Sequence, residues 1–386
     1  MGLSPRRLRV VLLVLAGIAS ACSLVLPFDD YREPNEADAT APDSLAPGPE
    51  PDGAADGAAD DADADDAACP SDRTSDPLNC GACGRVCADG GACAGGQCPI
   101  TTVVEEPRGR IERIVATGGP FAGAPDCLYY TVSTGAVGRI ALPSGPPEYA
   151  PAPGAAGFLD VAPNGRRGVL GVDGSILGLA PSAFDASPVG YSTHAGLSGL
   201  FASASANRFF WSDEAGVGTS AFGKPDATAV IGPGAAAVGF YESAGRLLWA
   251  TADGAVWVVA ASAPDNPAPL FNASASGLTG VAATKTHIYL AQRSQGVLAY
   301  SWDGAASVDP AVTLLPMAEP LAIVATSSNV WVIDRGGTAK AELRRYPPGG
   351  GAKVVLASGF VATAGLAVKD EFIYFADGPR ILRTTR

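Results

Sequence analysis

Histidine is nearly missing from this chain of 386 residues, occurring only at His194 and His287. Neither opens a metal-ligand pattern, so a surface or structural role is favoured for each over catalysis. Basic stripes are missing too. Within the repeats, beyond Arg166-Arg167 and Arg344-Arg345, the cations are scattered, and the net charge of the chain is -13. Phosphate binding has little electrostatic basis here, and no nucleic-acid partner is expected. No Gly-x-Ser-x-Gly nucleophile elbow stands on a strand-to-helix turn. After the first residues, no segment repeats apolar side chains at three-to-four spacing over ten or more positions, which excludes long amphipathic helices. The apolar run Val10 to Ile18 is too short for a permanent membrane span.

A repeat stands in place of these features. Seven short apolar triplets recur: Leu128-Tyr129-Tyr130, Val169-Leu170-Gly171, Phe209-Phe210-Trp211, Leu247-Leu248-Trp249, Ile288-Tyr289-Leu290, Val330-Trp331-Val332 and Ile373-Tyr374-Phe375. Their centres lie 41, 40, 38, 41, 42 and 43 positions apart. A second apolar run precedes most of them, as in Phe158-Leu159-Asp160-Val161 and Leu321-Ala322-Ile323-Val324. Turn residues and a third run follow, as in Asp253-Gly254 before Ala255-Val256-Trp257-Val258-Val259. Short runs rich in β-branched and aromatic residues, punctuated by Gly, Pro, Asp and Asn, read as antiparallel meanders. A period near forty is that of a propeller blade, and seven copies predict an all-β, seven-bladed propeller over 99–386. The chain stops about one strand after the seventh triplet. The β-prone run Ile100-Thr101-Thr102-Val103-Val104-Glu105 therefore supplies the missing outer strand and clasps the ring.

Residues 1–21 read as an export signal, with Arg6, Arg7 and Arg9 before the apolar run and small residues after it. Ala19-Ser20-Ala21-Cys22 resembles the bacterial lipoprotein lipobox. The resemblance implies cleavage before Cys22 and acylation of that cysteine, hence a membrane anchor. Ser23 resembles the residue that lets such proteins proceed to the outer membrane. Residues 22–68 then carry fourteen Asp or Glu against one Arg. This Asp, Ala, Pro and Gly composition predicts a disordered tether spanning roughly 35–40 Å. Asp61-Ala62-Asp63-Ala64-Asp65 has calcium-loop spacing but lacks the required Gly and the terminal Glu.

Residues 69–98 hold Cys69, Cys80, Cys83, Cys87, Cys93 and Cys98. So short a segment needs covalent staples. An oxidising compartment favours three disulfides over zinc held by Cys80, Cys83 and two others. Fifteen pairings are possible, and spacing does not choose among them. The run Asn79-Cys80-Gly81-Ala82-Cys83-Gly84-Arg85-Val86-Cys87 resembles a cysteine-rich module of predicted myxobacterial surface proteins. Cys127 is left over as a buried thiol.

Acids follow most triplets: Asp173, Asp213, Asp253, Asp334 and Asp377, with Glu214 doubling Asp213. They could ring one face, but Asp173, Asp253 and Asp377 precede Gly, as tight turns require. Phe210-Trp211-Ser212-Asp213 and Tyr374-Phe375-Ala376-Asp377 are similar to the Tyr-Trp-Thr-Asp element of low-density-lipoprotein-receptor-type propellers, and more loosely to NHL-type and gluconolactonase-type propellers. Leu170-Gly171-Val172-Asp173 and Tyr289-Leu290-Ala291-Gln292 depart from that element. The fold so implied hosts binders and enzymes alike. No catalytic residues, cofactor or metal are therefore expected. The leading reading is a lipid-anchored envelope protein whose propeller binds or scaffolds a protein or glycan. A metal-dependent hydrolase or lyase of the gluconolactonase-like type is the alternative.

Overall fold

The computed structural model describes Ser75, Cys80, Cys87 and residues 92–386, except 95, 120–122, 152–153, 155, 204, 225–227, 233–235, 244, 274–275, 294, 304–307, 316 and 337–339. The export signal, Cys22, the acidic stretch, Cys69 and Cys83 lie outside the described residues.

Strand β1 spans Thr101–Glu105. Six meanders follow. The first holds β2 (Ile111–Thr117), β3 (Cys127–Val132), β4 (Val137–Ala141) and β5 (Glu148–Ala150). The second holds β6 (Ala156–Val161), β7 (Gly168–Val172), β8 (Ser175–Leu179) and β9 (Val189–Thr193). The third holds β10 (Gly199–Ser203), β11 (Arg208–Asp213), β12 (Gly216–Ala221) and β13 (Thr228–Gly232). The fourth holds β14 (Ala237–Ser243), β15 (Arg246–Thr251), β16 (Ala255–Ala260) and β17 (Ala263–Asn272). The fifth holds β18 (Leu278–Ala283), β19 (His287–Gln292), β20 (Gly296–Trp302) and β21 (Val308–Leu315). The sixth holds β22 (Pro320–Ala325), β23 (Val330–Asp334), β24 (Ala341–Tyr346) and β25 (Val354–Phe360). The chain ends with β26 (Ala362–Lys369), β27 (Phe372–Asp377) and β28 (Arg380–Thr385). β1 pairs antiparallel with β28 and completes the seventh four-stranded sheet, in the order β1-β28-β27-β26. The protein is an all-β, seven-bladed propeller, closed by the clasp that the N-terminal run predicts.

The core is divided among the blade interfaces. Seven apolar clusters fill them, one between each pair of neighbouring blades. The triplets form the second strand of each blade and feed both adjoining clusters, because alternate side chains leave opposite faces of a strand. In β3, Tyr129 packs toward the second blade, while Leu128 and Tyr130 pack toward the seventh. In β15, Leu248 packs toward the fifth blade, while Leu247 and Trp249 pack toward the third. Each fully buried side chain of this kind contributes about 2 kcal/mol.

The second copy corrects the repeat. Leu170 joins the cluster shared with the first blade, whereas Val169 joins the cluster shared with the third. In the other blades the central residue faces the following blade, so the centre of this copy is Val169, and its triplet is Gly168-Val169-Leu170. The outlier Gly171 is a neighbour of that triplet, and a Cβ there would meet Leu197 Cδ2 at 2.7 Å. It is glycine because Leu197 and Phe158 fill the space.

The clasp is fastened by a buried carboxylate just beyond β1. Glu106 is 2 % exposed. Its Oε2 accepts hydrogen bonds from the hydroxyls of Tyr130 at 3.0 Å and Tyr149 at 2.8 Å, and its Oε1 from the Arg108 amide at 3.0 Å. The Arg108 guanidinium lies 3.4 Å from the Tyr149 ring centroid. Burial, reinforced by these neighbours, pushes the Tyr130 hydroxyl well above its ordinary pKa.

Candidate functional site

The acids after the triplets serve the fold. Counting three residues past each centre gives Val132, Val172, Asp213, Thr251, Gln292, Asp334 and Asp377. Four of these tie the connection entering their own blade. The Glu319 amide donates to Asp334 Oδ1 at 2.8 Å, just before β22. The Val361 amide donates to Asp377 Oδ1 at 2.8 Å, just before β26. Gln292 Nε2 donates to the Ser276 carbonyl at 2.9 Å, just before β18. Asp213 Oδ2 lies 2.8 Å from His194 Nδ1, in the connection to β10. Counter-charges complete two of the ties, Arg344 Nη1 at 2.6 Å from Asp334 Oδ2, and Arg380 on Asp377. Gln292, a departure in sequence, does the acid's task as a donor.

The two remaining acids are turn residues. Asp173 has φ 47° and Gly174 φ 79°, the left-handed pair of a tight hairpin. Asp253 accepts from the Thr251 hydroxyl and, at 3.4 Å, from the Ala255 amide. The hydroxyl bond is the main reason its carboxyl sits below the usual range. Glu214 is exposed beside Asp213.

One grouping was not legible in the sequence. His194 Nε2 lies 2.7 Å from Ser192 Oγ, which makes a Ser192–His194–Asp213 line with the atom order of an acyl-transfer relay. Its surroundings fit a tie better. Asp213 Oδ1 accepts the turn amides of Ala215 at 2.8 Å and Gly216 at 3.1 Å, and the imidazole packs 4.7 Å from Trp211. Backbone amides hold the same position in the sixth and seventh blades. His287 stands apart at the start of β19, with Nδ1 2.9 Å from Thr286 Oγ1, and burial lowers its pKa.

Cys80 pairs with Cys93, and Cys87 with Cys98. The sulfurs of Cys80, Cys87 and Cys98 lie within 4.8 Å of one another, the only such ligand group among the described residues. All three are joined in disulfides, so none of the three offers a thiolate. Cys127 is buried, with its thiol 3.6 Å from the Pro125 carbonyl.

The site with open chemistry is the central channel, a cavity of about 420 Å³ lined by all seven inner strands. Each inner strand pairs only with the second strand of its sheet. The inner residue opposite each triplet centre is Val115, Asp160, Phe201, Tyr241, Ala282, Val324 or Ala367. An acid thus occupies in β6 a place that is apolar or aromatic in the other six blades. Asp160 Oδ2 accepts the Ala202 amide of the third blade at 2.7 Å, and Oδ1 accepts the Val161 amide at 3.0 Å. Burial pushes this carboxyl up to about 7 against the pull of those amides and of Arg113.

Two residues before that ring come Arg113, Phe158, Gly199, Gly239, Gly280, Ala322 and Gly365. Five are glycine or alanine, and side chains of neighbouring strands close over them, as Phe240 does on Gly199 and Val281 on Gly239. Arg113 and Phe158 are the exceptions, and they meet, with the guanidinium 4.8 Å from the ring centroid. Arg113 Nε donates to the Gly157 carbonyl at 3.3 Å. Burial lowers the pKa of this guanidinium, while Asp160 and then Glu112 act on it through space. Composition gave no sign of this pair, because the two residues lie 45 positions apart on different strands.

No family model and no curated protein matches the chain. Solved structures do match it. The Cps50 (Swd1) β-propeller domain of Myceliophteria thermophila superposes with a TM-score of 0.57 at 12% identity, over 75% of this chain and 100% of that one. The WD40 β-propeller domain of Doa1 gives 0.56 at 10% identity, over 75% and 97%. The WD40 repeats of RRP9 give 0.55 at 12%, over 74% and 97%. At such identities the likeness is one of fold.

Proposed function

We propose that this chain is a cell-envelope lipoprotein, anchored through Cys22, whose propeller is a binding or scaffolding module for a protein partner, with a glycan as the other candidate. One observation carries the reading. The turn acids that might have formed a catalytic ring are committed to holding blades or turns: Asp213, Asp334 and Asp377 by inter-strand ties, Asp173 and Asp253 by hairpins. What they maintain is a closed platform, and the WD40 neighbours share that architecture. The lipobox-like Ala19-Ser20-Ala21-Cys22 and the acidic stretch behind it support display at a membrane. The short motif of the low-density-lipoprotein-receptor type is compatible with the same role. The metal-dependent hydrolase finds no support in the placement of these acids.

The test has two arms. Metabolic labelling with a palmitate analogue should mark the wild type, and Cys22→Ala should lose the label and leave the membrane fraction. The full chain, immobilised through its C-terminus, should retain an envelope protein or glycan that free propeller competes off. An unlabelled wild type refutes the anchor, and retention that free propeller fails to displace refutes the module.

A further inference from the structure

The central channel holds two opposite charges that do not pair with each other. Arg113 and Asp160 both line the cavity, on adjacent inner strands β2 and β6. Among the described residues, Arg113 forms no ion pair. Its side chain is held by the Gly157 carbonyl and the Phe158 ring, which use Nε and one face of the guanidinium. Four N–H donors on Nη1 and Nη2 remain. Glu112, the nearest alternative partner in sequence, is taken by Arg110, whose Nε and Nη2 lie 2.9 and 2.8 Å from its Oε1. Asp160 accepts one backbone amide on each oxygen, and each oxygen keeps a second lone pair. Phe201, Phe240, Val281, Ile323 and Leu366 supply apolar wall, and Ser198 and Tyr241 add hydroxyls.

Arg113 is exposed and Asp160 half-buried, so a molecule entering the channel can reach both charges. Two opposite charges set apart in one cavity are both paired by a molecule that carries both complements. Its carboxylate would lie on the open edge of Arg113, its ammonium on Asp160, and its hydrocarbon body against the apolar wall. The cavity of about 420 Å³ falls in the range of pockets that enclose small organic molecules. We propose that the channel is a binding site for a small zwitterion with an apolar side chain, that is, an apolar α-amino acid.

The reading makes Asp160 a proton-linked contact. An ammonium on its carboxylate favours the charged form, so binding near neutral pH expels the proton that burial retains in the empty channel. Arg113 supplies the bidentate carboxylate contact, and lysine at that position keeps charge without the fork.

Titration calorimetry on the full chain at pH 7 is the test, with L-phenylalanine and L-leucine as probes. 3-Phenylpropionate serves as the carboxylate alone and phenethylamine as the amine alone. One saturable site is expected for an amino acid, with each single-charge analogue weaker by ~10-fold or more, the scale of one charged hydrogen-bonded contact. Arg113→Met and Asp160→Asn should each weaken the amino acid by a similar factor, with Arg113→Lys between Arg113→Met and wild type. Wild-type heats should vary with the ionisation heat of the buffer, and those of Asp160→Asn should not. Thermal melts of the variants separate lost binding from lost fold. Binding of the analogues as tight as that of the amino acids, or full affinity in a folded Arg113→Met, overturns the proposal. So does the absence of saturable heat for both amino acids at millimolar concentration. A failed surface-capture experiment would leave this result untouched, because the channel test requires no macromolecular partner.

Discussion

His194 is joined to Asp213 by a 2.8 Å contact between Nδ1 and Oδ2, which fastens the connection entering the third blade to the turn that ends β11. The two lie 19 positions apart in the chain. The same tie is made by an aspartate on a backbone amide in two blades and by a glutamine on a carbonyl in another.

As a structural tie, the Ser192–His194–Asp213 line should respond differently at its two ends. Asp213→Ala strips the acceptor from two turn amides and from His194, and should lower stability by about 1–3 kcal/mol in urea unfolding. Ser192→Ala should cost less than about 1 kcal/mol. A fluorophosphonate probe should leave Ser192 unlabelled, and labelling abolished by His194→Ala would instead establish a working relay.

The Asp160 carboxyl sets a pH dependence. Its folded pKa of about 7 lies above the ordinary carboxylate value, so the folded state keeps a proton that the unfolded chain releases. The stabilisation is complete below the unfolded pKa and is lost as pH rises through 7. Its slope reaches at most about 1.4 kcal/mol per pH unit. Urea unfolding between pH 4 and 8 should show this decline, and Asp160→Asn should flatten it.

At the clasp, Glu106→Ala would leave the Tyr130 and Tyr149 hydroxyls without their shared acceptor. The expected loss is about 1–3 kcal/mol by chemical unfolding, with Glu106→Gln intermediate because its amide keeps one acceptor oxygen. Hydrogen exchange should rise first in β1 and β28.

In the cysteine-rich segment, non-reducing peptide mapping should recover Cys80 with Cys93 and Cys87 with Cys98. These four residues are themselves the buried cluster there. Mild reduction should therefore raise proteolysis of residues 69–98 while the melting temperature of the blades stays constant.

The repeat was legible because the second strand of every blade is buried on both faces, which forces apolar side chains at each of three successive positions. The clasp was legible as a shortage, a last blade short of one strand and an unclaimed β-prone run at the other end. The frame of the second copy was misread by one residue. In Gly168-Val169-Leu170-Gly171 two glycines flank two aliphatics, and only the blade that each aliphatic faces decides which glycine belongs to the triplet. The ties escaped because they join residues 15 to 19 positions apart, and because an amide and a carboxylate can make the same link in opposite directions. Arg113 and Asp160 escaped for another reason. Asp160 is one polar letter in an apolar run and Arg113 half of a charged doublet with Glu112, and only closure of the ring sets them in one cavity.

The bond between Thr101 and Arg383 spans 282 positions. At ordinary rates of synthesis, the interval between making the first of these residues and the second is roughly fifteen to sixty seconds. Blades one to six can each form as a local meander, but the seventh must wait for its last strand to emerge. Until then the edge of β1 and two apolar blade faces stand uncovered, the condition in which sheets pair with the wrong neighbour. Folding of this chain is therefore paced by its final thirty residues, and a ribosome stall or truncation there would leave six finished blades without a ring.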